Sequence, residues 1–424
     1  MQLRLSLLDY LIEPSDGQPF RLVETEKVVH QSANGWIRCA SWCGRSGQPA
    51  GEVLDTTCTQ CLKEDVQEGT IVTANGKAYP IVRGIPRLLD DVCLGLVEGL
   101  SPDWVSRHRR CAALTPSEFD AKQIRTATAF GEEWRYFSAH LPDYEALARS
   151  YFDLLEEQDF SGLTLDAGCG MGRWARHAAG RGRALLAVDL SESVEVAART
   201  LAGLPNTHVL QADVYRLPFP RGIFDLVYSL GVLHHLPDPQ EGLKRVAWHL
   251  KEGRRFLGYF YYAFDNRPGF YRVLIPVVSA LRWIISRFPR QLARVVCLFI
   301  AIFVYWPLIQ LGRLLNAMGF REAARHVPLY EFYGGKRFSI IFNDSVDRFA
   351  TAIEFRFSRE QLRETFSRAG LGEVRFSETA PFWKVVGSRR LLREPLTEGL
   401  AGSSRCDETG AQVQTVGGPI GQAS

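Results

Sequence analysis

The chain has almost no excess of charge. Its 424 residues carry 50 basic side chains against 47 acidic ones, a net +3, too little to attract a nucleic acid by electrostatics, which argues against RNA or DNA as a partner. It has few cysteines: nine are spread along the chain, and no secretory leader pattern stands at Met1-Gln-Leu-Arg-Leu5. A disulfide framework is therefore not expected, and a reducing, cytoplasmic setting is. Beyond Arg393 the Gly/Ser/Thr/Gln-rich sequence has too little apolar content to fold, so 393–424 reads as a disordered tail. The remainder, within a chain 46% hydrophobic and 23% charged, is ordinary globular composition with length for two or three domains.

What is present, near the middle, is Leu163-Thr-Leu-Asp166-Ala-Gly168-Cys-Gly170-Met-Gly172-Arg173, an apolar strand running into an acid and three alternating glycines. Glycines so placed let the backbone turn tightly and let a ligand lie where a Cβ would intrude. A helix starting near Arg173 would aim its free N–H groups at that ligand. A dinucleotide fold wants its third glycine after two intervening residues; Arg173 holds that position, and the last glycine comes one residue early at Gly172. An oxidoreductase is disfavoured on this spacing. Asp189 ends the next apolar run, where it can accept hydrogen bonds from two ribose hydroxyls. Asp213, in Gln211-Ala-Asp213-Val214, can hold an adenine amino group.

From 163 to about 263, strand-like runs alternate with amphipathic stretches, the rhythm of a parallel sheet covered on both sides. Strands are expected at Leu163–Asp166, Ala184–Asp189, His208–Ala212, Phe224–Leu230 and Phe256–Tyr262, with helices at Arg173–Gly180, Ser193–Leu201 and Pro239–Leu250. Before this domain (159–265) lies a helical linker or cap, 96–158, with Phe130, Trp134 and Phe137 on one face. After it comes an apolar insertion, 266–350. Val295–Gly312 has no charge over 18 positions, but that length is borderline for a span, and Pro307 and Gln310 weaken it. With Val273–Ile285 it reads rather as a buried or interfacial helical hairpin, a substrate lid or a peripheral membrane contact through 273–312. In 351–392, a helix capped by Ser358 and stopped at Gly370, then strands at Glu373–Ser377 and Phe382–Val386, would complete the sheet.

Read together with Leu217-Pro218-Phe219-Pro220, Phe224-Asp225-Leu-Val-Tyr-Ser229 and Gly231-Val-Leu-His234-His235-Leu236-Pro-Asp238-Pro239, residues 160–265 strongly resemble class I S-adenosylmethionine-dependent methyltransferases, in particular those of ubiquinone and menaquinone biosynthesis. The resemblance implies an α/β, Rossmann-like, seven-stranded methyltransferase sheet and S-adenosylmethionine as cofactor. It places the methionine and ribose part on Asp166, Gly168, Gly170 and Gly172, the ribose clamp on Asp189, and the adenine contact on Asp213 and Val214, with Leu190 also among the cofactor-binding residues. Asp225 takes a structural role, and Cys169 is a small filler.

Methyl transfer is an in-line displacement in which alignment supplies roughly 7–11 kcal/mol, and a base helps only when the acceptor must lose a proton. His234 and His235, beyond the fourth strand, are the candidates, His234 ahead of His235; packing of the loop around the cofactor is the alternative reading of both. Tyr228, Tyr261 and Tyr262 stand behind them. The acceptor is expected to be a small or lipid-linked molecule of a biosynthetic pathway, which Trp283, Phe299, Phe303, Tyr305 and Trp306 of the insertion would suit. A cofactor-binding scaffold without catalysis is an alternative. RNA methylation is another, although Ser229-Leu-Gly-Val232 stands where an Asn-Pro-Pro-Tyr-like amine-binding tetrapeptide would.

The first 95 residues read as a separate small β module. Cys39-x3-Cys43 and Cys58-x2-Cys61 have the spacing of a four-thiolate structural zinc site, the alternative being buried thiols. Tyr79-Pro-Ile-Val-Arg-Gly-Ile-Pro-Arg-Leu-Leu89, with Leu7-Leu8-Asp9-Tyr10-Leu11, resembles zinc-ribbon domains of the tRNA-methyltransferase-activator type. The pattern departs from them where cysteine pairs would stand, at Glu13–Gly17 and at Thr73–Lys77.

Overall fold

Strict alternation of inward and outward apolar residues turns the central sequence into strands buried on both faces. Leu186, Val188 and Leu210 pack into one layer, while Leu185, Ala187 and Val209, their immediate neighbours in sequence, pack into the other; a period of two does this automatically. The computed structural model describes residues 3–30, 39–53, 64–108, 115–137, 144–204, 206–263, 271–351, 353–378 and 383–390. The strands are β1 (Leu3–Arg4), β2 (Arg21–His30), β3 (Trp42–Cys43), β4 (Gln48–Pro49), β5 (Glu64–Val72), β6 (Ala78–Val82), β7 (Ile85–Leu88), β8 (Leu163–Ala167), β9 (Ala184–Asp189), β10 (Thr207–Ala212), β11 (Phe224–Leu230), β12 (Leu250–Tyr259), β13 (Leu371–Phe376) and β14 (Lys384–Arg389).

Twelve of them form one sheet in the order β1-β5-β6-β7-β10-β9-β8-β11-β12-β14-β13, with β2 also on β5. Pairing from β10 to β12 is parallel, and β14 joins antiparallel between β12 and β13. This is a Rossmann-like α/β arrangement, but not a free-standing seven-stranded sheet. The N-terminal strands extend it, because β7 pairs in parallel with β10 through Arg87 opposite Gln211 and Leu88 opposite Ala212.

The first 95 residues, expected as a small β module, pack directly on the central sheet. Leu5, Leu8 and Phe20 share one core with Leu165 and Val188. Arg87, fully buried, donates to Gln211 Oε1 at 2.9 Å and to Val82 O at 3.1 Å, and pairs with Glu195. Cys43 is buried in the small β3–β4 ribbon and Cys39 is half-buried, whereas Cys58 and Cys61 lie outside the described residues, as does the tail. Among the described residues no cluster of three or more His, Cys, Asp or Glu is arranged to hold a metal.

The helices are α1 (Pro102–His108), α2 (Glu118–Tyr136), α3 (Tyr144–Tyr151), α4 (Arg173–Ala178), α5 (Ser193–Thr200), α6 (Pro239–Trp248), α7 (Tyr271–Ile285), α8 (Arg290–Ala317), α9 (Arg321–His326), α10 (Tyr330–Tyr333), α11 (Phe338–Ala350) and α12 (Arg359–Arg368). Their starts follow local chemistry. Ser117 opens α2 in a capping box with Asp120, Asp238 caps α6 ahead of Pro239, and Ser358 opens α12 in a box with Gln361. The long helix α8 absorbs Pro307 by widening to a π turn over Ala301–Tyr305, which re-spaces the backbone where the ring removes a donor. The expected hairpin is thus two helices, α7 and the 28-residue α8, both laid against α11. Ala293, Cys297, Ala301, Tyr305 and Ile309, four residues apart, form the buried spine of α8 against Ile341, Val346 and Phe349.

The aromatic face of α2 packs on three separate parts. Trp134 lies over Gly170, Phe130 meets the His235 ring at 5.0 Å between centroids, and Phe137 meets Phe342 of α11 at 5.4 Å.

Candidate active site

In a parallel sheet, ligands sit beyond the carboxyl ends of the strands, at the point where strand order reverses. Here that point lies between β8 and β11, and a cavity of about 500 Å³ opens there. Its floor is the glycine loop, Asp189 and Leu190 at the end of β9, Val214 after β10, and Gly231, Val232 and His235–Pro237 after β11; its walls come from α2, and its roof from α7, α8 and α11.

Gly168 and Gly170 occupy left-handed backbone, at φ +85° and +52°. A Cβ on Gly168 would stand 2.4 Å from Val232, and one on Gly170 3.0 Å from the Trp134 ring nitrogen. Both positions therefore demand glycine on steric as well as torsional grounds. Gly172 lies outside the cavity as the N-cap of α4. The loop is held by Asp189: one carboxylate oxygen accepts from Gly170 N at 2.9 Å, the other from Ser191 N and Oγ at 2.8 and 2.6 Å.

Asp213 stands behind the wall rather than on it. Its carboxylate accepts from Gln123 of α2 at 2.7 Å and from Tyr215 N at 2.9 Å, while Gln123 and Val214 face the cavity. Burial pushes Asp213 up to about 6. Asp166 lies deeper still, fully buried beside the Tyr228 hydroxyl and the Ala175 backbone N–H. Burial pushes its carboxyl well above the usual carboxylate range, and it sits beneath the loop rather than on the cavity wall. Cys169 lines the cavity as a buried thiol, pushed well above its ordinary range by burial.

The fold places the two histidines differently with respect to the cavity. His234 is fully buried, does not line the cavity, and stacks between the rings of Tyr261 and His235 at 4.1 and 4.2 Å. Burial, then the neighbouring His235, drives it well below the ordinary histidine range. His235 faces the cavity. Its Nδ1 lies 2.7 Å from Ile353 O, an acceptor only, so Nδ1 carries a hydrogen, and in the neutral ring the lone pair is on Nε2. That Nε2 faces Asp347 Oδ1 at 3.6 Å, and neither atom has a hydrogen-bond partner among the described residues.

Asp347 belongs to α11, and sequence reading missed it. Tyr261 donates to its other oxygen at 2.5 Å. Tyr333 donates to Asp344 at 2.8 Å, and Arg348, Glu354 and Arg356 complete a polar roof over a mostly apolar chamber. The available signal was the 3–4-residue spacing of Asp344, Asp347 and Arg348 inside an otherwise apolar stretch. Arg173, conspicuous in sequence for displacing a glycine, lays its guanidinium over Trp134 and Trp174 at 4.7 and 4.6 Å and lines the cavity. The arrangement fits an adenosyl ligand: a backbone cradle that a Cβ would fill, a carboxylate at the second strand, and a largely apolar chamber of ordinary ligand-site size.

Residues 165–258 match the family model described as a methyltransferase domain. An uncharacterised chloroplastic methyltransferase of Arabidopsis thaliana is 33% identical over 127 residues, 28% of this chain and 35% of that protein. The malonyl-[acyl-carrier protein] O-methyltransferase of Salmonella typhimurium is 34% identical over 30% of this chain and 49% of its own. A ubiquinone biosynthesis O-methyltransferase of Caulobacter vibrioides is 37% identical over 26% and 45%. The chain thus spans half or less of the length of these relatives. Strands β8 to β12, with the loops that floor the cavity, have a Rossmann-like fold and fall on the stretch that matches the methyltransferase-domain model.

Proposed function

We propose that the chain is an S-adenosylmethionine-dependent methyltransferase that methylates a proton-bearing oxygen on a small or lipid-linked acceptor in a biosynthetic pathway. The observation that carries this reading is the His235–Asp347 pair, 3.6 Å apart at the inner end of a largely apolar chamber, beside the glycine loop. The Salmonella and Caulobacter relatives, named as O-methyltransferases, agree with it.

When bound, S-adenosylmethionine supplies an electrophilic sulfonium methyl group. The glycine loop from Gly168 would take its methionine part, Asp189 and Leu190 the ribose, and Val214, with Asp213 acting through Gln123, the adenine. His235 holds its Nε2 lone pair ready because Ile353 O fixes the other nitrogen as a donor. An acceptor hydroxyl placed between Nε2 and Asp347 would pass its proton to His235, and the Asp347 carboxylate would stabilise the imidazolium formed. Tyr261 orients that carboxylate. Trp134 and the rings of the roof exclude water, so alignment is kept and hydrolysis avoided.

The test is transfer of labelled methyl from S-adenosylmethionine to a panel of phenolic, carboxylic and isoprenoid-linked hydroxyl acceptors, with matched amines as controls. Label on an oxygen acceptor is expected. Labelling of amines alone, or calorimetric preference for NAD over S-adenosylmethionine, overturns the reading.

A further inference from the structure

The insertion buries one stripe of α8 and leaves the opposite stripe bare. Leu292, Val295, Phe299, Ile302 and Phe303 project outward at helical spacing, Phe303 with 67% of its surface exposed, and Trp283 of α7 is 61% exposed. Such a continuous apolar face is what a folded chain in water avoids. In the segment that carries it the charge is one-sided: between Tyr271 and Arg337 the sequence holds ten arginines and lysines against two glutamates, in a chain whose net charge is only +3, with Arg290 and Arg294 paired to Glu132 of α2. Arg287, Arg321 and Arg337 are exposed, and Arg287 lies over the Trp283 ring at 3.9 Å.

The same elements form the outer wall of the cavity. Leu281 and Val304 line it, yet are 44% and 49% exposed, and Val278, Ile300 and Leu308 line it beside them. One side of these helices therefore faces the outside and the other faces the chamber. The helix α8 is long enough to cross a bilayer by length and composition, about 42 Å at 1.5 Å per residue. Its buried spine, however, is packed on α11, and Ser345 Oγ donates to Cys297 O at 3.1 Å. A helix held along one flank by its own domain presents only the other flank, which is the geometry of a helix lying in a membrane surface.

We propose that the α7–α8 face docks on the surface of an anionic lipid bilayer, and that the acceptor is a membrane-embedded amphiphile that enters the cavity between α7 and α8, past Leu281 and Val304. The apolar stripe inserts among acyl chains, the surrounding arginines meet anionic headgroups, and Trp283 sits at the boundary. The acceptor's tail stays toward the bilayer while its proton-bearing oxygen reaches His235. The identity of the acceptor rests on the methyl-transfer reading; the docking face stands apart from it.

Flotation of the full-length protein with phosphatidylcholine vesicles, with and without 30% phosphatidylglycerol (a composition chosen on the order of cytoplasmic leaflets), tests the proposal. Binding is expected to rise at least tenfold with the anionic lipid and to fall as salt is raised. Phe299→Asp with Phe303→Asp should reduce partition at least tenfold on both vesicle types, and Arg287→Glu with Arg321→Glu should reduce only the anionic component. All four side chains are outside the cavity, and unchanged S-adenosylmethionine binding in calorimetry reports that each variant is folded. Labelled methyl should pass to a vesicle-borne acceptor more slowly in both variants, but normally to the same acceptor in detergent micelles. Absence of flotation, or flotation indifferent to these substitutions, overturns docking; resistance to alkaline carbonate extraction replaces it with a span. Flotation without transfer to any acceptor instead removes the methyl-transfer reading and leaves docking intact.

Discussion

His235 Nε2 and Asp347 Oδ1 face each other at 3.6 Å, one from the loop after β11 and the other from a helix of the roof. Two acceptors at that separation leave room for a donor between them, which an acceptor hydroxyl would supply. His235→Ala is expected to lower turnover about 100-fold with S-adenosylmethionine affinity unchanged, within the range for loss of a general base. Asp347→Asn should lower it about tenfold. Turnover as a function of pH checks the assignment, because the variant should regain rate as hydroxide replaces the missing base. Equal activity of His235→Ala and wild type removes it.

Gly168 is fixed twice, by φ +85° and by Val232 at 2.4 Å from a would-be Cβ. Gly168→Ala should weaken S-adenosylmethionine at least about 100-fold in calorimetry. Adding Val232→Ala removes the overlap but not the left-handed backbone, whose cost is roughly 1–2 kcal/mol, so only partial recovery is expected. Full recovery would show that the clash alone matters.

Burial pushes Asp213 up to about 6, and only its ionised form accepts two donors well. Affinity for S-adenosylmethionine should be flat above pH 7 and weaken up to about tenfold by pH 5, one pH unit below that value. Asp213→Asn should bind more weakly and lose the pH dependence. Titration calorimetry across this range decides it.

His249 is held neutral by burial, its pKa lowered to about 4, with Nδ1 donating to Pro220 O at 3.2 Å. Its ordinary value is about 6.5, so its stabilisation is present above pH 6.5 and lost as pH falls through about 4. Asp213, raised in the fold, works in the opposite sense by gaining its proton earlier than the unfolded chain does. Comparing wild type with His249→Gln cancels that opposing contribution. The stability difference between them in denaturant titrations should shrink by about 2 kcal/mol from pH 7 to 4.5.

Arg87 carries the junction of the N-terminal strands with the central sheet, buried against Gln211, Val82 O and Glu195. Arg87→Ala leaves Glu195 half of a broken buried pair, and a loss of about 3 kcal/mol is expected. Replacing both, Arg87→Met with Glu195→Gln, should restore most of it. A loss under about 1 kcal/mol in the single variant would mean that the strands hold without the pair.

The central strands were legible because their evidence is local. Ala184–Asp189 and Phe224–Leu230 appear at the bounds their periodicity gives, and Ser358 and Gly370 flank α12 where capping chemistry puts them. The expected strand Phe256–Tyr262 is shifted, since β12 begins at Leu250, through the charged Lys251–Arg255 that alternation does not mark, and ends at Tyr259. The N-terminal strands carry the same local signals, yet nothing in them announces that Leu88 will pair with Ala212. That pairing depends on a buried arginine finding two partners far along the chain.

By itself the sequence determined the cradle: glycine alone tolerates the torsions at 168 and 170, and an acid must end the next strand to hold the loop. It also determined that the insertion would be apolar and helical. Only the tertiary structure decided which histidine meets the cavity, because His234 and His235 are adjacent and chemically identical until the roof helix delivers Asp347 to one and Tyr261 stacks on the other. It decided as well which flank of α8 is buried, since a helix apolar all round has no preferred side until α11 packs against one of them.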